Sequence, residues 1–100
     1  MEVTLKIRTI DNQKREVTVT SDEGTSSSYY TNTNAIFPLY KELIYFCRDH
    51  QGAELDIYSN SSSFVAELKS FETSGKRLAV MLKDTLSDCA CSIKSVKQSS

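Results

Sequence analysis

The sequence predicts an α/β (α+β) domain: a five-stranded mixed sheet with its elements in the chain order β-β-β-α-β-α-α-β. Three observations point to it. The N-terminal third alternates apolar and polar residues in short runs parted by turn residues, the mark of an antiparallel meander. The stretch from Thr31 to Ser63 then switches to helical spacing, with Ile36, Leu39, Tyr40, Leu43, Phe46 and Cys47 along one face. After it come a β-run, two more helical stripes and a last β-run, which right-handed crossovers would turn into parallel strands.

Each element has its own warrant. Val3, Leu5 and Ile7 alternate with Thr4, Lys6 and Arg8, a half-buried strand with a polar outer face. Asp11 to Lys14 is turn chemistry, and Glu16 to Thr20 alternates again with β-branched residues. Asp22-Glu23-Gly24 makes a second turn, and Ser26 to Tyr30 supplies a third strand polar enough for a sheet edge. Pro38 suits the first position of the main helix, where its missing N–H leaves nothing unpaired, and Gly52 marks the stop. Glu54 to Ser59 (ELDIYS) reads as a strand with Leu55 and Ile57 on one side and Asp56 and Tyr58 on the other. Asn60 and Ser61 to Ser63 offer N-caps for a helix whose stripe is Phe64, Val65, Leu68 and Phe71, stopped at Thr73-Ser74-Gly75. Leu78, Met81, Leu82, Thr85 and Leu86 form a third stripe, with Lys76, Arg77, Lys83 and Asp84 on its wet side. Cys89, Cys91 and Ile93 then alternate into a final strand reaching about Val96. Residues 1–97 are expected to form one domain, with a short tail at 98–100. The ELDIYS strand should lie beside the first strand, and the last strand outside it.

Composition narrows the function classes. At 100 residues the chain holds one core, and 39% apolar with 25% charged residues is ordinary for a folded domain. Its longest apolar-rich run, Ile36 to Cys47, is interrupted by Lys41 and Glu42 and is too short to span a bilayer. The opening MEVTLKIRTI reads as a strand rather than a secretory leader. Together with an odd three cysteines, this gives the expectation of reduced thiols and a cytoplasmic setting. A net charge of −1 does not favour a partner held mainly through phosphates.

Cys47, His50 and Cys89-x-Cys91 together suggest a metal site, but Cys-x-Cys on a strand sends both thiols to one face, where small apolar residues are expected. Buried thiols are the expected reading, with no metal, and His50 near a helix end is expected to cap carbonyls rather than activate a nucleophile. Asp49, Glu54, Asp56 and Glu67 are spread over different elements and read as solvated carboxylates. Five tyrosines stand out: Tyr40 and Tyr58 read as core, while Tyr29, Tyr30 and Tyr45 are candidates for partner contact. The third strand's free edge offers a place for an added strand. Lys76, Arg77, Lys83, Lys94 and Lys97 give the C-terminal half a mild basic bias.

Several motifs, taken in order, resemble type 1 ribonuclease H. They are T-N-x-N before the amphipathic helix (Thr31 to Asn34), a strand ending I-Y-S-N-S (Ile57 to Ser61), F-V-x-x-L (Phe64 to Leu68), K-R-L-x-x-x-L-x-x-x-L (Lys76 to Leu86) and S-I-K-S-V-K (Ser92 to Lys97). The resemblance implies a ribonuclease H-like fold and, in the active family, four carboxylates holding two divalent metals against the scissile phosphate. Set against that pattern, Asn60 stands where the family has an Asp after the strand. Ile36 or Phe37 stands at its helix Glu, Ile10 or Asp11 at its first-strand Asp, and Ser99 near its His. The family's last Asp lies on a helix beyond this sequence's elements, and its Gly-rich loop after strand one is replaced by a tight turn. The resemblance therefore implies no catalytic residues, no metal and no cofactor. The expected role is a non-catalytic module that binds a protein, such as a small phage- or mobile-element-encoded inhibitor. The alternative is a non-cleaving remnant that binds a nucleic-acid duplex or hybrid.

Overall fold

The computed structural model describes residues 1–99; Ser100, the end of the expected tail, lies outside the described residues. Three antiparallel strands open the chain: β1 (Glu2–Thr9), β2 (Lys14–Ser21) and β3 (Gly24–Thr31). The Asp11 carboxylate accepts the Gln13 N–H at 2.8 Å and sets the first turn. Gly24, at φ 122°, carries the second, where a side chain would strain the backbone. Helix α1 (Phe37–Asp49) follows, its first turn capped by the Asn34 side chain, which accepts from Ile36 N at 2.9 Å and Phe37 N at 2.8 Å. Gly52, at φ 82°, turns the chain into β4 (Glu54–Ser59).

Strand β4 pairs parallel with β1, and β5 (Ser92–Gln98) pairs parallel with β4, so the sheet order is β3-β2-β1-β4-β5. This is the mixed sheet and crossover arrangement that the strand pattern predicts. Helix α2 (Ser62–Lys69) crosses from β4, capped by Ser61 Oγ, which accepts from Phe64 N at 3.2 Å. Helix α3 (Arg77–Asp88) leads to β5. α1 lies on β1 and β2, α2 on β4 and β5, and α3 packs against α1 and the 3-10 turn Phe71–Thr73. All three therefore cover the sheet face formed by Val3, Leu5, Val17, Val19, Leu55 and Ile57. At the centre the Tyr40 and Phe64 rings meet edge to face at 5.2 Å, both fully buried. The other sheet face carries no helix among the described residues.

Four details depart from the sequence pattern. The Phe64-to-Phe71 stripe is not one helix: α2 ends at Lys69 and Phe71 reaches the core from the 3-10 turn. Met81 is exposed, while Ala79, Leu82, Thr85 and Leu86 form the buried face of α3. Tyr58 is half-buried on the uncovered sheet face rather than in the core, because β4 alternates and Ile57 takes the helix side. Cys89 and Cys91 are not strand residues. Cys89 caps α3, Ala90 reverses the chain at φ 55°, and β5 begins only at Ser92 and runs past Val96 to Gln98. No helix among the described residues is long and apolar enough to cross a membrane.

Candidate functional site

The parallel β1–β4 pair brings the C-terminal ends of both strands to one rim of the sheet, where ligands of open α/β sheets usually sit. Asn60, the first residue after β4, is tied there to the neighbouring strand. Its Oδ1 accepts from Ile7 N at 2.9 Å, and its Nδ2 donates to Ile7 O at 3.0 Å, so the amide stands in for a missing stretch of β-ladder. Beside it, a shallow cavity of about 340 Å³ opens on the uncovered face between Lys6, Arg8, Glu16 and Thr18. Arg8 grips Glu16 with two donors to the same carboxylate oxygen, at 2.9 and 3.2 Å. A hydrogen bond from Tyr29, and then the Arg8 guanidinium, holds the Glu16 carboxyl below the usual range. The remaining positions to which the resemblance draws attention stand apart. Asp11 is committed to its own turn, Ile10 is exposed, and Phe37 packs edge-on to Tyr30 at 6.4 Å. Among the described residues no group of three or more His, Cys, Asp or Glu side chains is placed to hold a metal ion.

All three cysteines are buried and free. Cys91 Sγ donates to the His50 carbonyl at 3.3 Å and the Cys47 carbonyl at 3.6 Å, tying the β5 entry to the end of α1. Burial, then the neighbouring Cys91 thiol, pushes the Cys47 thiol up to about 12, so it stays protonated and unreactive at neutral pH. His50 caps α1, stacking on Phe46 with ring centroids 4.0 Å apart. Its Nδ1 faces the Phe46 carbonyl at 2.9 Å and its Nε2 faces the Glu23 carboxylate at 2.7 Å. Both partners are acceptors, and only the imidazolium can donate to both.

Burial works to lower the His50 pKa, but the Glu23 hydrogen bond and then the Phe46 carbonyl outweigh it, and the net shift is upward. A histidine raised above its unfolded value contributes stability that is fully present below about pH 6.5 and is lost as pH rises through the folded pKa. Glu23→Gln is therefore expected to lower the Tm at about pH 5.5 and to match the parent by about pH 8.5. Thermal melts at the two pH values check it, and an equal deficit at both would discard the ion pair.

The other carboxylates are dispersed. Asp56 accepts from Ser95 Oγ at 2.6 Å, which holds its carboxyl low. Glu67 accepts from Tyr40 Oη at 3.1 Å and lies 3.9 Å from Lys76 Nζ. Glu54 is exposed at the start of β4, and Asp49 borders the cavity beside His50.

The three tyrosines singled out in the sequence do not form one surface. Tyr29, 57% exposed, sits on the uncovered face with Lys14 Nζ 4.8 Å from its ring centroid. Tyr30 points to the helix side, where its hydroxyl donates to Glu42. Burial and that bond raise its pKa. Tyr45, 42% exposed, stands on the outer face of α1, its ring covered by Lys41 at 5.0 Å.

Lys76 and Arg77 have a place that their reading as wet helix side missed. They open α3, a 12-residue helix with no side-chain cap and no acidic residue in its first turn. The Lys76 N–H donates to Ser74 Oγ at 3.2 Å, and Lys76 and Arg77 border a cavity of about 340 Å³ shared with Asn34, Ile36 and Glu67. The signal available in the sequence was the lack of Ser, Thr, Asp or Asn at Lys76, following Gly75. Of the other C-terminal lysines, Lys83 Nζ donates to the Glu72 and Ser74 carbonyls, and Lys94 and Lys97 lie on β5.

No protein-family profile and no curated protein matches the chain. Solved structures do. LC11-RNase H1 in complex with an RNA/DNA hybrid is similar at a TM-score of 0.64 with 15% identity, covering 98% of this chain and 82% of that one. LC11-RNase H1 isolated from compost by a metagenomic approach gives a TM-score of 0.63 with 14% identity, covering 96% and 83%. RNase H1 from the halophilic archaeon Halobacterium salinarum NRC-1 gives 0.59 with 10% identity, covering 98% and 82%. The fold is ribonuclease H-like.

Proposed function

We propose that this chain is a ribonuclease H-like module that binds a nucleic-acid duplex or hybrid without cutting it. The observation that carries the non-cutting half is Asn60. Where the resembling family places a metal-binding Asp, this chain has a neutral amide that accepts one bond from the Ile7 backbone and donates another to it. Ile36 and Phe37, at the family's helix Glu, carry no anionic oxygen, and the one carboxylate bordering the cavity beside Asn60, Glu16, already paired, does not make a two-metal site. The uncapped start of α3, with Lys76 and Arg77 beside free N–H groups, supports the binding half, since such an end favours a phosphate. The RNase H1 of similar fold that was crystallised with an RNA/DNA hybrid supports the choice of ligand.

A labelled RNA/DNA hybrid titrated at about 50 mM and about 200 mM salt tests it, because phosphate contacts weaken steeply with salt. Binding at the lower salt and a marked loss at the higher are expected, with the hybrid intact in Mg²⁺ or Mn²⁺. Lys76→Glu with Arg77→Glu should weaken binding by about tenfold or more and flatten the salt slope by about one to two units. No binding at the lower salt rejects the ligand, and cleavage rejects the non-cutting half.

A second reading, an inhibitor or adaptor that grips a protein, draws on the exposed Tyr29 and Tyr45 rings. Alanine at both positions should then abolish capture of that protein while leaving the hybrid titration unchanged.

A further inference from the structure

Among the described residues, β5 is a sheet edge with no strand on its outer side. Along its helix side runs an open trough. A cavity of about 490 Å³ lies between the Leu68–Thr73 segment and Ile93–Val96. A second, of about 250 Å³, continues towards Cys91 and shares Phe71, Glu72 and Ile93 with the first. The trough flanks Cys91 to Val96, about 20 Å of extended chain. Its floor is apolar: Leu68, Phe71 and Leu86 from the helical side, and Ile93 and Val96 from the strand itself. Its rim carries Lys69 and Lys83 with Glu72 between the two cavities, and Lys94 on the strand side, where it also acts on the Asp56 carboxylate. The carbonyls of Glu72 and Ser74 hold Lys83 in place without neutralising its charge. Among the described residues, none of these three lysines forms an ion pair.

The opposite edge differs in both respects. On β3 the helix-side residues include Ser26 and Ser28, and the neighbouring cavity, about 230 Å³, is bordered by Glu23 and Asp49. Free strand edge, apolar floor and cationic rim coincide only along β5 among the described residues.

We propose that the β5 edge is the docking site for an extended acidic peptide of a partner protein. Such a peptide adds a sixth strand beside β5. Alternate apolar side chains enter the trough, and its carboxylates meet Lys69, Lys83 and Lys94. The site is separate from the start of α3, so its occupancy does not depend on nucleic-acid binding there.

The probe is a fluorescein-labelled peptide alternating valine with glutamate, and its control has lysine at each glutamate. Anisotropy is expected to rise with a Kd on the order of 10–100 μM, as befits a short transient contact, with no rise for the lysine control. Lys69→Glu with Lys94→Glu should weaken binding by about tenfold or more. In the unmodified protein, amide shifts on peptide addition should concentrate at Ser92 to Val96, which keeps the proposal testable if the double variant folds poorly. Any of four results overturns it: no binding up to about 1 mM, equal binding of the control, shifts centred on Thr25 to Thr31, or displacement by an equal concentration of oligothymidylate. The last would make the rim a polyanion site instead.

Discussion

Phe64→Ala is expected to lower the free energy of unfolding by about 3–5 kcal/mol. Phe64 is fully buried at the centre of the layer between helices and sheet, its ring edge-on to Tyr40 at 5.2 Å. Removing it takes away the transfer free energy of the ring and leaves a cavity that α2 cannot close. The helix is held at one end by the Ser61 cap and along its length by β4 and β5. Tyr40 would lose its ring partner while its hydroxyl stays committed to Glu67. For a domain whose whole stability is about 5–15 kcal/mol, such a loss leaves little folded population in reserve. Urea unfolding followed by far-UV circular dichroism measures it. Phe64→Leu, which refills most of the space, should lose much less. A loss below about 1 kcal/mol for the alanine variant would show that the α2 layer repacks freely.

The second large effect lies at Asn60. Asn60→Ala removes both bonds to Ile7 and should cost about 1 kcal/mol, the low end for two net hydrogen bonds, because the position is exposed to solvent. Asn60→Asp is the more instructive change. It keeps the acceptor for Ile7 N but sets a second carboxylate oxygen against Ile7 O. At neutral pH it should therefore be at least as damaging as alanine. Below the ordinary carboxyl range the protonated acid can again donate to Ile7 O, and the deficit should shrink. Denaturation at about pH 7 and about pH 3.5 separates the two variants. Adding about 10 mM Mg²⁺ at neutral pH should not rescue Asn60→Asp, because the one other carboxylate bordering the same cavity, Glu16, is already held by Arg8. Rescue by the cation would reveal a metal site at this rim and would count against the non-cutting function proposed for the chain.

Period and turn chemistry carried most of the fold. The period-two runs around Val3, Val17 and Ile57 and the helical stripe from Ile36 to Cys47 each survive as elements, because the apolar pattern and the burial it drives are the same thing read twice. Misreadings gather where two periods are locally degenerate. Cys89, Cys91 and Ile93 alternate as a strand would, yet a left-handed Ala90 and a helix cap fit the same residues. Phe71 sits at the right offset for α2, yet enters from a separate turn after Ser70 ends the helix. Met81 is as apolar as its neighbours, but it falls off the buried face made by Ala79, Leu82, Thr85 and Leu86.

The candidate site was legible only in part. That Asn60 is an amide was visible in the sequence; that the amide completes the β1 ladder depends on which strand lies alongside β4. Tyr29 and Tyr30 were adjacent letters, and a strand necessarily sends adjacent side chains to opposite faces. Only the helix layer decided that Tyr30 would be the one covered, beside Glu42. Lys76 and Arg77 are solvated, as the pattern implies, but only the crossover places them at an uncapped helix end next to Asn34.

The sequence by itself determined the order and type of the elements, the core stripes and the scarcity of carboxylates near the strand ends, because these follow from local periodicity and residue identity. Tertiary structure alone decided which sheet face stays uncovered, which edge carries an apolar trough with lysines on its rim, and which backbone Asn60 clamps. Those depend on contacts between residues far apart in the chain, such as Ile7 with Asn60 and Tyr40 with Phe64, which no local pattern encodes.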